Sequence, residues 1–176
     1  MSIRSAAAVL VLGLTAGLVA AAPASAGNNP WPKFTPLAAD TTVQIQADFS
    51  GKCLAVADAR TDDGAPVVET ACTGDDSQQW NITNGYAFNV HSGKCLEVPA
   101  WSRTAGTAID QWTCNQGDNQ RWGQINIVGS NTIAIPNWNS GLILDVDGAN
   151  HADGTPVIQW YSDYHANQRF TLNPVG

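Results

Sequence analysis

The strongest constraint on this chain is that one unit is written three times. Ser50 to Trp80, Ser92 to Trp122 and Ser140 to Phe170 align without a gap. The second position of each copy is Gly51, Gly93 or Gly141. The fifth is Leu54, Leu96 or Leu144, followed two residues later by Val56, Val98 or Val146. A further glycine recurs at Gly64, Gly106 and Gly154, and the copies close on Gln78-Gln79-Trp80, Gln120-Arg121-Trp122 and Gln168-Arg169-Phe170. A unit this small cannot bury a hydrophobic face alone, so the copies must share one core. Leu54-Ala55-Val56 and Leu144-Asp145-Val146 alternate as half-buried strands do, and Asn84-Gly85 between Ile82 and Phe88 is a two-residue hairpin signal. No stretch after residue 26 carries a helical period. The expected fold is therefore all-β and closed by pseudo-threefold symmetry, with Trp80, Trp122 and Phe170 meeting at the axis.

The start of the chain stands outside this frame. Arg4, the uncharged run from Ala6 to Ala22, and Ala24-Ser25-Ala26 form the charged, apolar and small-residue parts of a secretory signal peptide, expected over residues 1–26. Residues 27–40, with Pro30, Pro32 and Pro36, read as an arm or linker that Trp31 and Phe34 could dock onto the domain. The domain itself is expected over 41–174, with repeats at about 41–83, 84–126 and 127–174. Export makes disulfides the natural state of an even cysteine count. Cys53 and Cys72 hold the slots of Cys95 and Cys114, and the third copy has Ile143 and Ser162 there. Losing both members together is what a bonded pair requires, so the frame selects Cys53–Cys72 and Cys95–Cys114.

Several functions are excluded or disfavoured. With 8 Lys and Arg against 15 Asp and Glu, nothing supplies a basic face for nucleic acid or for an anionic membrane surface. After signal cleavage no membrane insertion is expected, and no cofactor. The cysteines lack a C-x-x-C pair and the three His are scattered, which disfavours zinc. Asp145-x-Asp147-Gly148 fails as a calcium loop, because Pro156 falls where the bidentate Glu belongs. No nucleophile elbow, phosphate loop or dinucleotide fingerprint is present.

Three copies with Cys-Leu-x-Val early and Gln-x-Trp or Gln-x-Phe late resemble the ricin B-type lectin family, which includes the carbohydrate-binding modules of family 13. The resemblance covers about residues 41–174. It implies a β-trefoil, one shallow sugar pocket per repeat, and no catalysis by the domain itself. It also implies which slots touch sugar: an acid after the Leu of the first motif, an aromatic two residues before the second Cys, and an Asn-Gln pair opening the last motif. The third copy fills every slot with Asp145, Trp160, Asn167 and Gln168. The second has Glu97, Trp112, Asn119 and Gln120, its acid one methylene longer. The first has Ala55, Thr70 and Ser77 in place of the acid, ring and Asn, so it is expected to fold but not to bind. Because Gln78, Gln120 and Gln168 persist regardless, a structural role for them outweighs a ligand-specific one.

The expected molecule is a secreted, monomeric carbohydrate-binding protein with live second and third pockets, and not an enzyme. Galactose and galactosamine (galactose-type glycans), or xylan and arabinan-type polysaccharides, are the ligand classes the resemblance implies. The alternatives are a trefoil inhibitor of proteases or glycosidases, acting through one loop, and a weak glycoside hydrolase, which would need a facing carboxylate pair. Trp101 either extends the second platform or is a surface ring. Tyr161, Tyr164 and His165 flank the third pocket in what reads as a solvated loop.

Overall fold

The computed structural model describes residues 34–176, and every regular element in that span is a strand or a single turn of 3₁₀ helix. Each repeat contributes four strands. The first has β2 (Val43–Ala47), β3 (Cys53–Val56), β4 (Ala65–Thr70) and β5 (Gln79–Thr83); the second has β6 (Tyr86–Asn89), β7 (Cys95–Glu97), β8 (Asp110–Trp112) and β9 (Gly123–Asn126). The third has β10 (Ile133–Ala134), β11 (Ile143–Val146), β12 (Thr155–Trp160) and β13 (Phe170–Pro174). A short β1 (Thr35–Pro36) precedes them. The outer strands form a closed barrel: β13 pairs with β2 over five registered positions, β2 with β5, β5 with β6, and β9 with β10 and then β13. The inner hairpins β3–β4, β7–β8 and β11–β12 cap it, and β4 joins both other caps. This is the β-trefoil.

Local chemistry explains the turns and faces. Asn84 and Gly85 both adopt positive φ, 53° and 90°, the type I′ geometry whose twist matches the flanking strands β5 and β6. In β2 the residues Val43, Ile45 and Ala47 point inward and alternate with half-exposed glutamines. Trp80, Trp122 and Phe170 are fully buried in one core cluster. The indole N–H groups of Trp80 and Trp122 donate to the carbonyls of Leu54 and Leu96, at 3.2 and 3.0 Å. The same bond in two copies satisfies the one polar atom each buried indole carries.

Both disulfides join the cysteines the repeat frame paired, Cys53–Cys72 and Cys95–Cys114, across the base of each cap hairpin. The cap junctions also follow the frame. Lys52 reaches Asp153 at 2.7 Å and Lys94 reaches Asp63 at 2.7 Å, while the third junction has Leu142 and Ala105 in those slots.

Residues 1–26, and most of the expected arm, lie outside the described residues, but Phe34 to Leu37 are part of the barrel. β1 pairs with β9, and Leu37 is fully buried in the core. Its N–H donates to Trp122 and its carbonyl accepts from Gly85, both at 2.9 Å. The backbone of Leu37 thus bridges a seam where the β6 hairpin and β9 share one direct bond, Trp122 N–H to Gly85. Phe34 packs edge-on against Trp138, which is also stacked by the Arg121 guanidinium 4.2 Å from its ring centre.

Candidate functional site

The β11–β12 register sets Asp145 opposite Ile158 and Ile143 opposite Trp160, so Asp145, Ile158 and Trp160 share one face of the cap hairpin. That face floors an open cleft of about 370 Å³, which Ala149, His165 and Asn167 help to wall. Trp160 remains 41% exposed and presents its ring to the opening, whereas Asp145 is 4% exposed. The carboxylate is held from behind: Asn167 Nδ2 donates to Oδ1 at 2.9 Å and Gln168 Nε2 donates to Oδ2 at 2.8 Å. Burial pushes the Asp145 carboxyl up to about 6, against the pull of these two amides.

Gln168 is fully buried and has no capacity left for a ligand. Its Nε2 also donates to the Tyr161 carbonyl, and its Oε1 accepts from the N–H groups of Asp163 and Tyr164. Gln120 repeats this brace, donating to Glu97 and to the Thr113 carbonyl and accepting from the Asn115 N–H. Gln78 repeats it too, between the Ala71 carbonyl and the Thr73 N–H, in the copy where no acid is present. These bonds engage Gln168 and Gln120 in fixing the loop and holding the acid.

The first copy keeps the hollow without the chemistry. Ala55, Val68, Thr70 and Ser77 line an opening of about 560 Å³. It is wider than the third cleft because small side chains stand where that cleft has a ring and an acid.

The second copy brings Glu97, Trp112, Asn119 and Gln120 together as expected. β7 and β8 register Glu97 opposite Asp110 and Cys95 opposite Trp112. Trp112 is 42% exposed, Glu97 is buried, and Asn119 Nδ2 donates to the Val98 carbonyl at 3.1 Å. Burial raises the Glu97 carboxyl above the usual glutamate range, and the nearby Asp63 adds to the effect.

Three further features of these sites follow the repeat frame. Each platform ring leans on a glycine of the preceding repeat: a Cβ at Gly106 would lie 3.3 Å from Trp160 Cζ3, and one at Gly64 would lie 3.8 Å from Trp112 Cζ3. Gly154, which faces the ringless first copy, has nothing within that range. Asp110 occupies the slot of Val68 and Ile158, which line the other two hollows. Trp101 occupies the slot of Ala59 and Ala149, and beside it Gly117 takes the slot of His165. Among the described residues no three His, Cys, Asp or Glu side chains gather as a metal site, and no helix is long and apolar enough to cross a membrane.

The model of the ricin-type beta-trefoil lectin domain matches residues 41–170. A crystal structure of a designed 3-fold symmetric protein, ThreeFoil, is 35% identical over 77% of this chain and 100% of its own, with a TM-score of 0.73. An exo-beta-1,3-galactanase from Clostridium thermocellum, 1,3Gal43A, is 32% identical over 78% of this chain, with a TM-score of 0.72. This chain spans only 31% of that enzyme. A ricin B-like lectin of Macrolepiota procera, solved with lactose, shares the fold at 18% identity over 80% of this chain and all of its own, with a TM-score of 0.68. No curated protein matches the chain.

Proposed function

The chain belongs to the ricin-type β-trefoil lectin domain family, and from that premise we propose that it is a secreted, non-catalytic lectin binding galactose-type glycans through its third and second repeats. The observation that carries this reading is the pairing of Asp145 with Trp160 in one open cleft. A pyranose has an apolar C–H face and a rim of hydroxyls. The indole at 160 covers the first by stacking, and the carboxylate at 145 accepts from the second. An ionised carboxylate offers about four lone-pair sites. Asn167 and Gln168 use two of them, leaving one on each oxygen for two neighbouring hydroxyls. Xylan and arabinan-type polysaccharides are the second ligand class, and the galactanase relative makes a β-1,3-galactan the first polymer to try.

A shallow cleft binds one sugar weakly. Two clefts on one domain raise the effective affinity for a repeating glycan by about 10²–10⁴ where both engage. Calorimetry with galactose, lactose, β-1,3-galactan and xylan tests the reading. Asp145→Ala and Trp160→Ala are expected to abolish binding at the third repeat without unfolding the domain. Substitutions at Ala55 and Thr70 should leave binding unchanged. Failure of the intact chain to bind any of these sugars would defeat the proposal.

A further inference from the structure

Within that sugar-binding reading, we infer that the second repeat's pocket is built for a cationic ligand, a protonated amine such as that of a 2-amino sugar, and not for a neutral hexose. The departure from the third repeat lies in three slots of the same frame. Where the third cleft has Ile158, Ala149 and His165, the second has Asp110, Trp101 and Gly117. One apolar floor residue has become an acid, one small wall residue has become an indole, and the histidine has become the glycine over which that indole lies.

Asp110 faces Glu97 directly across the β7–β8 ladder. Like charges at directly opposed positions destabilise a sheet. Neither carboxylate is in an ion pair: those among the described residues leave both out, and Lys94 at the start of the same hairpin is held by Asp63 at 2.7 Å and by Thr113 at 3.1 Å. Burial, with repulsion from Glu97 and Asp63, pushes the Asp110 carboxyl up to about 7. Unmet acceptors sharpen the picture. Asp110 Oδ1 and Asn119 Oδ1 are buried atoms with no hydrogen-bond partner, and Asn119 is 1% exposed. Asn119 Oδ1 borders the pocket wall: it and Trp101 Cζ2 both come within 2.8 Å of the point a Cβ on Gly117 would occupy. Buried unpaired acceptors are costly, and a ligand that donates satisfies them.

The same cap carries two exposed indoles, Trp112 two residues along β8 from Asp110 and Trp101 beside Gly117, at 42% and 53%. An organic ammonium is attracted to both groups of features: to the carboxylates by charge and hydrogen bonding, and to the ring faces by their quadrupole. A divalent metal would use the acceptors but gain nothing from the indoles, and a neutral sugar could donate to the acids but would leave their charge uncompensated. The pair of acids and the pair of rings together select the amine.

The test titrates the ¹⁵N-labelled chain with galactosamine, N-acetylgalactosamine and galactose near neutral pH, reading the indole N–H signals of Trp101, Trp112 and Trp160. N-acetylation removes the charge while keeping the ring. Galactosamine is expected to shift Trp101 and Trp112 with an affinity roughly tenfold or more above N-acetylgalactosamine. High salt should shrink that ratio. Asp110→Ile, which installs the third repeat's residue, and Asp110→Asn, which removes the charge at constant shape, should each abolish the preference while Trp160 still answers galactose. Equal affinities for the two amino sugars, a preference that survives both variants, or displacement of galactosamine by calcium chloride alone would overturn the inference. A silent Trp160 with every sugar would instead count against the lectin reading itself, so the two failures are distinguishable.

Discussion

Replacing Glu69 by Gln should stabilise this protein, and the repeat frame predicts by how much and at which pH. Glu69, Gln111 and Gln159 occupy one slot, and all three are fully buried. In each copy a serine donates to one side-chain oxygen: Ser50 to Glu69 at 2.8 Å, Ser92 to Gln111 at 2.6 Å, and Ser140 to Gln159 at 2.7 Å. The other terminal atom differs. Gln111 Nε2 donates to the carbonyls of Arg60 and Asp62 at 3.0 and 3.1 Å, and Gln159 Nε2 donates to those of Ser102 and Thr104 at 3.2 and 3.0 Å. In Glu69 that position is an oxygen without a partner, and the frame sets it toward the equivalent carbonyls of Asn150 and Ala152. An acceptor facing acceptors in the interior costs about 1–3 kcal/mol, which the amide would recover. In a domain of this size each 1 kcal/mol moves Tm by about 2–4 °C. Burial raises the Glu69 carboxyl above the usual glutamate range against the pull of Ser50, Lys52 and His151, with Asp153 adding to the rise. The folded state therefore keeps the Glu69 proton to higher pH than the unfolded chain does. The penalty is absent below the unfolded value of about 4.3 and grows as pH rises through the folded one. Thermal unfolding followed by circular dichroism should show E69Q above the parent at pH 7 and close to it at pH 4. A variant no more stable at pH 7, or one whose gain is the same at both pH values, would refute the argument.

Other expectations follow from the same geometry. Binding at the third repeat requires an ionised Asp145, so galactose affinity measured by NMR should fall as pH drops below about 6. Gly106→Ala places a methyl 3.3 Å from the Trp160 ring on a backbone at φ +86°, so it should weaken third-repeat binding and lower Tm in the same sample. Reducing Cys53–Cys72 or Cys95–Cys114 removes a loop constraint of about 3 kcal/mol each, readable as a drop in the denaturant midpoint on adding dithiothreitol. Leu37→Ala should cost about 2–5 kcal/mol in urea unfolding, since the residue is fully buried although it precedes the first repeat.

Comparing copies was enough to read the trefoil, both disulfides and the joined positions of Asp145 with Trp160 and of Glu97 with Trp112 from sequence. Each of those properties repeats, or fails to repeat, at a fixed spacing. What the comparison hid were contacts between copies. Leu37 has no repeat counterpart, so nothing in the frame marked it as core, and a proline-rich neighbourhood reads as linker. Gly64 and Gly106 were visible as recurring glycines, but the rings they support belong to the next repeat. Asp110 was overlooked because its counterparts Val68 and Ile158 look like ordinary strand residues until the strand register places them in the pocket floor. The glutamines read as structural from the sequence because Gln78 persists where the acid is lost.

The pattern of change among the copies separates two kinds of position more sharply than any single pocket could. Positions that carry the barrel tolerate almost nothing: Leu54, Leu96 and Leu144 are fully buried, and the bracing glutamine never changes. Positions that face the openings change freely, from Ala55 to Glu97 to Asp145 and from Val68 to Asp110 to Ile158. A barrel held by its own invariant brace can lose or gain a charge at a cap without losing its shape. Function can therefore diverge copy by copy inside one chain. The first hollow lacks the motif acid and ring, the third pairs Asp145 with Trp160 while Asp147 and Asp163 line its edge, and the second sets Glu97 and Asp110 in one cap with Trp101 and Trp112. The second copy departs from local stability rules where it sets two carboxyls face to face across a buried ladder. Such an arrangement is retained where a ligand relieves it.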